Sequence, residues 1–241
     1  LGRACAEKLA EAGCEVVING RDAERLKATA DAMAKTYGVK VTPVAADLAT
    51  PEGQKALLAA CPDPDILVNN NGGPPPRDFR ELTRQQMIDG VIANMVVAIE
   101  LIQKTIGPMT ERRFGRIVNI TSGSVKMPLA NLDLSSGARA GLTAFLAGVA
   151  RTVADKNVTI NNILPGAFDT DRLRSVLGNA AKAKGISADE AAAQRALTIP
   201  ARRFGQPDEF GAACAFLCSA QAGYITGQNL LIDGGFFPGA F

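Results

Sequence analysis

Four polar residues occupy positions from which side chains can take part in a reaction: Asn94, Ser122, Ser135 and Arg139. Ser122 follows an apolar segment, residues 116–120, that reads as a buried strand, and Ser135 and Arg139 open a long apolar helix. Open α/β sheets place their chemistry where the carboxyl end of a strand meets the start of a helix. Hydroxyl and amide groups there can hydrogen-bond a carbonyl oxygen or hold a water molecule.

The elements that must position these residues alternate between short apolar strands and helices. We predict strands over residues 15–18, 40–46, 65–68, 116–120, 158–164 and 228–232. We predict helices over residues 4–12, 23–37, 51–61, 83–111, 137–155 and 207–219, with an interrupted helical pattern over 170–203. Continuous apolar strands are typical of a parallel sheet that is covered on both faces. We therefore expect an α/β fold, a doubly wound parallel sheet of Rossmann type with helices on both faces, as a single domain over residues 1–241.

The composition excludes several classes of function. The net charge is +2 over 241 residues, with both signs interspersed, which gives no footprint for nucleic acid or for an anionic membrane. No run of 18 apolar residues occurs, so no membrane span is predicted. The chain has no histidine, which excludes histidine triads and histidine-ligated metals, and we expect no metal site. Five cysteines without a Cys-x-x-Cys pair suggest core residues in a reducing, cytoplasmic compartment.

Several short segments occur in an order and at a spacing that resemble one enzyme family. Gly2 stands at a helix start, Asn94 lies in the predicted helix 83–111, and Ser122 follows it by 28 residues. The remaining matching segments are Asp47-Leu48, Asn69-Asn70-Asn71-Gly72, Pro165-Gly166 with Thr170, and the C-terminal segments 203–207, 224–228 and 233–235. Together they resemble the short-chain dehydrogenase/reductase family, and within it the 3-oxoacyl-carrier-protein reductases, over essentially the whole chain.

The resemblance implies roles for these residues. Asn94 and Ser122 match the family's catalytic Asn and Ser. The other matches imply contacts with a dinucleotide. Asp47 and Leu48 would contact the adenine, Asn70 and Gly72 belong to the family's Asn-Asn-Ala-Gly segment, and Pro165, Gly166 and Thr170 would lie around the nicotinamide.

Elementary chemistry agrees with dinucleotide binding. Gly2 would let the backbone approach a pyrophosphate at a helix N-terminus, where free N–H groups favour an anion. At the end of the second strand of such a fold, an NAD-specific protein needs a carboxylate for the ribose 2′-hydroxyl. In this chain the corresponding strand is the one predicted over residues 15–18, and Gly20 and Arg21 follow it. A guanidinium can pair with a 2′-phosphate, so we predict NADP(H) rather than NAD. The alternatives are that Gly2 is a simple turn residue and that Arg21 is a solvated cation.

The chain departs from the family at its proton donor. The family has Tyr-x-x-x-Lys, with the Tyr 13 residues after the Ser, and this chain has Ser135 and Arg139 at those two positions. A serine hydroxyl is a poor acid at neutral pH, and Arg139 can hold ribose hydroxyls but cannot shuttle a proton. Substitute donors would be Asp133, Lys126, or a water held by Ser135 and Asn94. The chain's two tyrosines, at positions 37 and 224, lie far from this register.

Three functions remain open at this point. The first is an NADP(H)-dependent oxidoreductase that interconverts a ketone and a secondary alcohol through an atypical site, with a small molecule as substrate. The second is a nucleotide-binding sensor or partner subunit with little turnover. The third is a structural subunit with an empty site, which the near-complete cofactor signature argues against.

Two further expectations concern neighbouring segments and copies. The first predicted helix lacks a strand before it, so we expect a strand and a glycine-rich turn, about a dozen residues, upstream of Leu1. Residues 170–203 would form a lid over the substrate. The helices at 83–111 and 137–155 carry apolar residues on more than one stripe. Together with the family resemblance, this pattern predicts a homotetramer.

Overall fold

Parallel strands alternate with helices along the computed structural model, which describes residues 1–240. The strands are β1 (Val16–Gly20), β2 (Val41–Ala45), β3 (Ile66–Asn69), β4 (Gly115–Ile120), β5 (Val158–Pro165) and β6 (Asn229–Ile232). The helices are α1 (Gly2–Glu11), α2 (Ala23–Tyr37), α3 (Pro51–Ala60), α4 (Arg84–Val91), α5 (Val97–Glu111), α6 (Asp133–Val153), α7 (Asp171–Lys184), α8 (Ala188–Leu197) and α9 (Pro207–Cys218). The predicted alternation of strands and helices is therefore confirmed, with ends that differ by a few residues.

All strand pairs are parallel, and they form two groups. β1 pairs with β2, while β3, β4, β5 and β6 pair with one another in that order. Within residues 1–240, the outer strands of both groups (β1, β2, β3 and β6) therefore each have one edge without a strand partner. The expectation of a further strand upstream of Leu1 remains a prediction.

The central strands β4 and β5 are buried on both faces, as their apolar sequences predict, whereas the outer strands β3 and β6 are only partly buried. Neighbouring residues of β4 point to opposite faces: Val118 packs with α1 and α9, and Ile117 packs with α5 and α6. Both side chains are almost completely buried. The predicted core cysteines Cys5, Cys214 and Cys218 belong to the first of these clusters, and the five thiols of the chain are free.

The long helix predicted over residues 83–111 is continuous from Arg84 to Glu111 but contains one π-helical turn. Thr83 caps α4 through a reciprocal capping box with Gln86, and a π-helical turn, Ile92–Val96, joins α4 to α5. Over Arg84–Glu111 this segment is long and apolar enough to cross a membrane, with a mean hydropathy of 1.3 in its most apolar window. However, Leu101, Ile102 and other α5 side chains are buried inside the fold, as in the core helix of a globular domain.

Four asparagines form a hydrogen-bonded row across the sheet. The side-chain amide of Asn69 donates to the amide oxygen of Asn119 at 2.9 Å, and Asn119 donates to Asn162 at 3.1 Å. Asn162 in turn donates to Asn229 at 2.8 Å. The strand register places these residues directly beside one another, so each buried amide finds a partner on the next strand.

Gly211 allows α9 to lie against the backbone of α1. A Cβ atom at this position would lie 2.5 Å from the carbonyl oxygen of Ala4, and a backbone atom cannot rotate away. We expect Gly211→Ala to lower the free energy of unfolding by about 1–3 kcal/mol because the two helices must separate. Urea unfolding measures this loss. Gly107→Ala is the matched control: its helical site is open, and we expect it to stabilise by about 0.5–1 kcal/mol. Equal stability of the two variants would contradict the close approach.

Candidate active site

Ser122 lies just beyond the carboxyl end of β4, as predicted. Its Oγ accepts hydrogen bonds from the backbone N–H of Ser124 at 3.1 Å and from the hydroxyl of Ser124 at 2.9 Å. Because both bonds are accepted, the hydroxyl hydrogen of Ser122 is free to be donated to a ligand. Ser124, which the sequence analysis did not single out, therefore fixes the orientation of Ser122.

Asn94 lies in the π-helical turn between α4 and α5. Its Nδ2 donates to the carbonyl oxygen of Gly72 at 3.2 Å, which joins the helix to the segment after β3. Asn94 is 4% exposed, and its Oδ1 is buried with no hydrogen-bond partner among the described residues. A buried acceptor without a protein partner is able to accept a hydrogen bond from a water or from a ligand donor. The geometry therefore fits the water-holding role predicted for Asn94.

Ser135 and Arg139 lie one turn apart near the start of α6. The Nε of Arg139 donates to the Oγ of Ser135 at 3.2 Å, so the Ser135 hydroxyl can also donate its hydrogen to a ligand. The Nη atoms of Arg139 donate to the carbonyl oxygens of Ile120, at 2.9 Å, and Asn71, at 3.2 Å. Arg139 thereby ties α6 to the carboxyl ends of β3 and β4. Asn71 was not predicted as a site residue, because a backbone acceptor leaves no signal in the residue type.

Arg139 is a buried cation without a carboxylate. Its side chain is 8% exposed, and its acceptors are two carbonyls and one hydroxyl. Burial lowers the pKa of the guanidinium to about 10, and the positive charge of Arg172 acts in the same direction. The group remains protonated at neutral pH and so places a positive charge beside the Ser135 hydroxyl.

Arg172 reaches the same place from the first turn of α7. A methyl group built on Gly73 would lie 3.4 Å from Nη1 of Arg172, 3.4 Å from Oγ of Ser135 and 3.6 Å from Nη2 of Arg139. The three side chains therefore converge on Gly73, beside a small pocket lined by Pro74, Pro75, Leu82, Leu132 and Leu134. Sequence reasoning missed Arg172, because an arginine after a helix cap usually reads as a solvated charge.

The first turn of α1 fits a pyrophosphate. Leu1 provides no side-chain cap, and no acidic residue lies in this turn, so its N–H groups are available to an anion. Asn70 covers Gly2 so closely that a Cβ at Gly2 would collide with the Asn70 amide. The free N–H groups of the helix start and the lack of a Cβ at Gly2 are compatible with the pyrophosphate contact predicted for this position.

The remaining predicted cofactor residues lie at the carboxyl ends of strands. Arg21 is exposed directly after β1. After β2, Asp47 is exposed and its Oδ1 accepts from the N–H of Ala49 at 3.0 Å, while Leu48 is half-buried. After β5, the N–H of Gly166 donates to Ile232 at 2.8 Å, and Gly166 packs against Asp233.

The end of β5 leads directly into α7. Pro165 closes the strand, and Thr170 caps the helix by accepting from the N–H of Leu173 at 3.3 Å. Both ends of the segment 170–203 are anchored at one point, because the N–H of Asp169 donates to Gly205 at 2.9 Å and the N–H of Gly205 donates to Ala167 at 3.0 Å. The predicted catalytic and cofactor residues therefore all stand on strand ends or on adjoining helices.

A family model described as "Enoyl-(Acyl carrier protein) reductase" matches residues 1–237 of this chain. The chain belongs to the short-chain dehydrogenase/reductase family. It is 35% identical over 241 residues to the 3-oxoacyl-[acyl-carrier-protein] reductase FabG of Aquifex aeolicus, covering 98% of this chain and 93% of the relative. It is 32% identical over 240 residues to the NADPH-dependent reductase BacG of Bacillus subtilis, with the same coverage of each chain.

The fold of this short-chain dehydrogenase/reductase is also that of solved members. L-sorbose reductase from Gluconobacter frateurii, solved with NADPH and L-sorbose, superposes with a TM-score of 0.93 at 28% identity, covering 99% of this chain and 92% of that chain. The predicted family and the predicted Rossmann-type fold are confirmed. The predicted oxidoreductase class is confirmed at the family level, and relatives named for NADPH agree with the prediction of NADP.

Proposed function

We propose that this short-chain dehydrogenase/reductase interconverts a ketone and a secondary alcohol with NADP(H), through an active site that uses Ser135 and Arg139 in place of the family's Tyr and Lys. The observation that carries the proposal is that the hydroxyl groups of Ser122 and Ser135 each accept a hydrogen bond from the protein and keep a hydrogen to donate. Either hydroxyl can donate to a carbonyl oxygen and stabilise the negative charge that develops on it.

Different residues of the chain would bind the cofactor, bind the carbonyl group and supply the proton. NADPH would supply the hydride, and Gly2, Asn70 and Gly72 would help to hold it. Ser122 and Ser135 would orient the carbonyl oxygen, and the charge of Arg139 would polarise the Ser135 hydroxyl. A water on the unpartnered Oδ1 of Asn94 would connect the site to solvent protons. Asp133 and Lys126 are exposed, which makes them weaker candidates than this water for the proton supply.

The first experiment is a fluorescence titration with NADPH and NADH, followed in the same sample by a panel of ketones and 3-oxoacyl thioesters. Tight NADPH binding with turnover would support the proposal. Tight binding without turnover would instead favour a nucleotide-binding sensor or partner subunit. The absence of a phenol and an amine at positions 135 and 139 is the observation that favours this second function.

We expect Arg21→Gln to raise the Kd for NADPH about tenfold or more and to leave the Kd for NADH unchanged. The exposed guanidinium after β1 would pair with the 2′-phosphate, and a hydrogen bond to a charged group contributes about 1.5–3 kcal/mol. Fluorescence titration of both nucleotides measures the difference. Lys35→Gln, which removes a cation at the end of α2, is the control. An equal loss for NADPH and NADH would contradict a role specific to the phosphate.

The proposal includes a lid and a homotetramer. The lid is the segment 170–203 with α7 and α8, and its support is the shared anchor of both ends at Gly205. The homotetramer is supported by apolar side chains left exposed on α4 and α6: Ile88 is 42% exposed, Val91 38% and Phe145 47%. Five free cysteines fit the predicted cytoplasmic location.

A further inference from the structure

The guanidinium groups of Arg139 and Arg172 both approach Gly73 in the candidate active site, and no carboxylate lies between them. Nη2 of Arg139 and Nη1 of Arg172 both lie within 3.6 Å of the point where a methyl group on Gly73 would stand. The positive charge of Arg172 is felt at Arg139, and no acidic group among residues 1–240 offsets it there. Arg139 is buried and Arg172 is exposed, so an anion between them would pair with one desolvated and one solvated guanidinium, and each pairing would be favourable.

The acidic residues at the start of α7 form ion pairs with arginines other than Arg172. Asp169 forms a bidentate ion pair with Arg174, at 2.8 and 3.0 Å, and Asp171 lies 3.6 Å from Arg25. Arg172 has neither a side-chain hydrogen bond nor an ion pair to any residue from 1 to 240. The fold therefore neutralises the neighbouring cations and leaves Arg172 available to a ligand.

We propose that Arg172 and Arg139 bind a carboxylate of the substrate, and that the substrate class of this site is therefore the 2-oxo acids and their 2-hydroxy acid products. This inference rests on the proposed oxidoreductase function. The position of Ser135 selects the 2-oxo arrangement. Its hydroxyl, which would hold the reacting carbonyl oxygen, lies within 3.4 Å of the same point as the guanidinium groups. A 2-oxo acid, in which the carbonyl and the carboxylate are adjacent, fits this short spacing.

The small pocket beside Ser135 has mixed walls, because Arg77 and Asn131 line it together with two prolines and three leucines. Its free volume of about 10 Å³ admits no more than a water-sized group, so the choice of substrate class rests on the charged groups and not on this pocket. The phosphates of the cofactor are the other anions that Arg172 could meet. However, a pyrophosphate has its own site at the start of α1, and a 2′-phosphate would lie beside Arg21.

The test compares 2-oxohexanoate with its methyl ester, which lacks the negative charge, as substrates of the full chain with NADPH. We expect the wild type to favour the acid at least tenfold in kcat/KM. Arg172→Gln should lower kcat/KM for the acid about 10- to 100-fold and leave the ester within twofold. Arg172→Lys should give a kcat/KM for the acid between those of the wild type and Arg172→Gln. It keeps the positive charge but loses the two parallel N–H donors of the guanidinium. Lys182→Gln, which removes a cation from the last turn of α7, is the matched control.

A binding measurement separates this inference from the proposed function. Oxamate, which is not reduced, is titrated by calorimetry into the protein with NADPH present. If no ketone turns over but Arg172→Gln weakens oxamate binding about tenfold, the anion site is supported and the oxidoreductase proposal fails. If the wild type reduces the acid and the ester equally, the anion site is refuted and the reductase function stands. If Arg172→Gln weakens NADPH as much as oxamate, Arg172 serves the cofactor, and the inference is overturned.

Discussion

The double substitution Ser135→Tyr with Arg139→Lys should raise kcat/KM for reduction of a neutral ketone about 10²- to 10⁴-fold, the range typical of a placed general acid. This corresponds to roughly 3–5 kcal/mol of barrier. The expected gain arises because a phenol beside an ammonium can release a proton at neutral pH, whereas a serine hydroxyl cannot. Ser135 is half-buried and lines the pocket beside Pro74, so a ring at this position would face the substrate.

The matched control is Ser135→Phe with Arg139→Lys. It adds the same ring and the same amine but no acidic hydroxyl, so we expect no gain in reduction. NADPH affinity must be measured for both variants, because the Arg139→Lys change removes the two carbonyl contacts that the guanidinium makes with Ile120 and Asn71. A double variant that binds NADPH tightly and reduces ketones no faster than wild type would refute the argument that this site lacks an acid.

Arg116→Ala should produce the largest loss of stability, about 3–5 kcal/mol in the free energy of unfolding. Arg116 is 1% exposed, and its guanidinium donates to the carbonyl oxygens of Ser219, Gly115 and Asn157 at 2.8–2.9 Å. It also lies over the ring of Phe114, 4.5 Å from the ring centre. The truncation leaves a cavity, and it removes the donor from the buried carbonyl of Gly115 and from the part-buried carbonyls of Ser219 and Asn157, so the two costs add.

Urea unfolding of the wild type and of Arg116→Ala measures the difference in the free energy of unfolding. Arg151→Ala removes an exposed arginine from α6 and should change the stability by no more than about 0.5 kcal/mol. Arg116→Lys should lie between wild type and Arg116→Ala, because one ammonium cannot reach all of the acceptors. A loss of less than about 1 kcal/mol for Arg116→Ala would mean that water replaces the guanidinium.

The sequence predicted the residues whose roles depend on their position along the chain. Ser122 at a strand end and Gly2 at a helix start follow from the alternation of apolar segments. The same reasoning predicted the parallel sheet, because its strands are apolar on both faces. The spacing of Ser135 and Arg139 placed them one turn apart on a helix, and the structure joins them by a hydrogen bond.

The sequence could not predict features that depend on contacts between distant segments. The stretch around Asn94 reads as a regular helix, whereas the structure has a π-helical turn there and a hydrogen bond from Asn94 to Gly72, 22 residues earlier. Arg172 reads as a solvated helix charge until the fold places Gly73 beside it. The asparagine row likewise requires a strand register that is set by packing across the whole sheet rather than by any one strand.

The two buried arginines have a consequence for behaviour in acid. Ion pairs weaken on acidification because their carboxylates take up protons: Arg203 lowers the pKa of Glu209 to about 2, so that pair's contribution is lost as the pH falls from the ordinary range of a glutamate towards 2. Arg116 and Arg139 are held instead by neutral oxygens, most of them main-chain carbonyls, which have no proton to gain. Mild acid therefore removes no hydrogen bond from either guanidinium. The contacts of Arg116 and Arg139 at the two ends of β4 persist while the surface carboxylates take up protons.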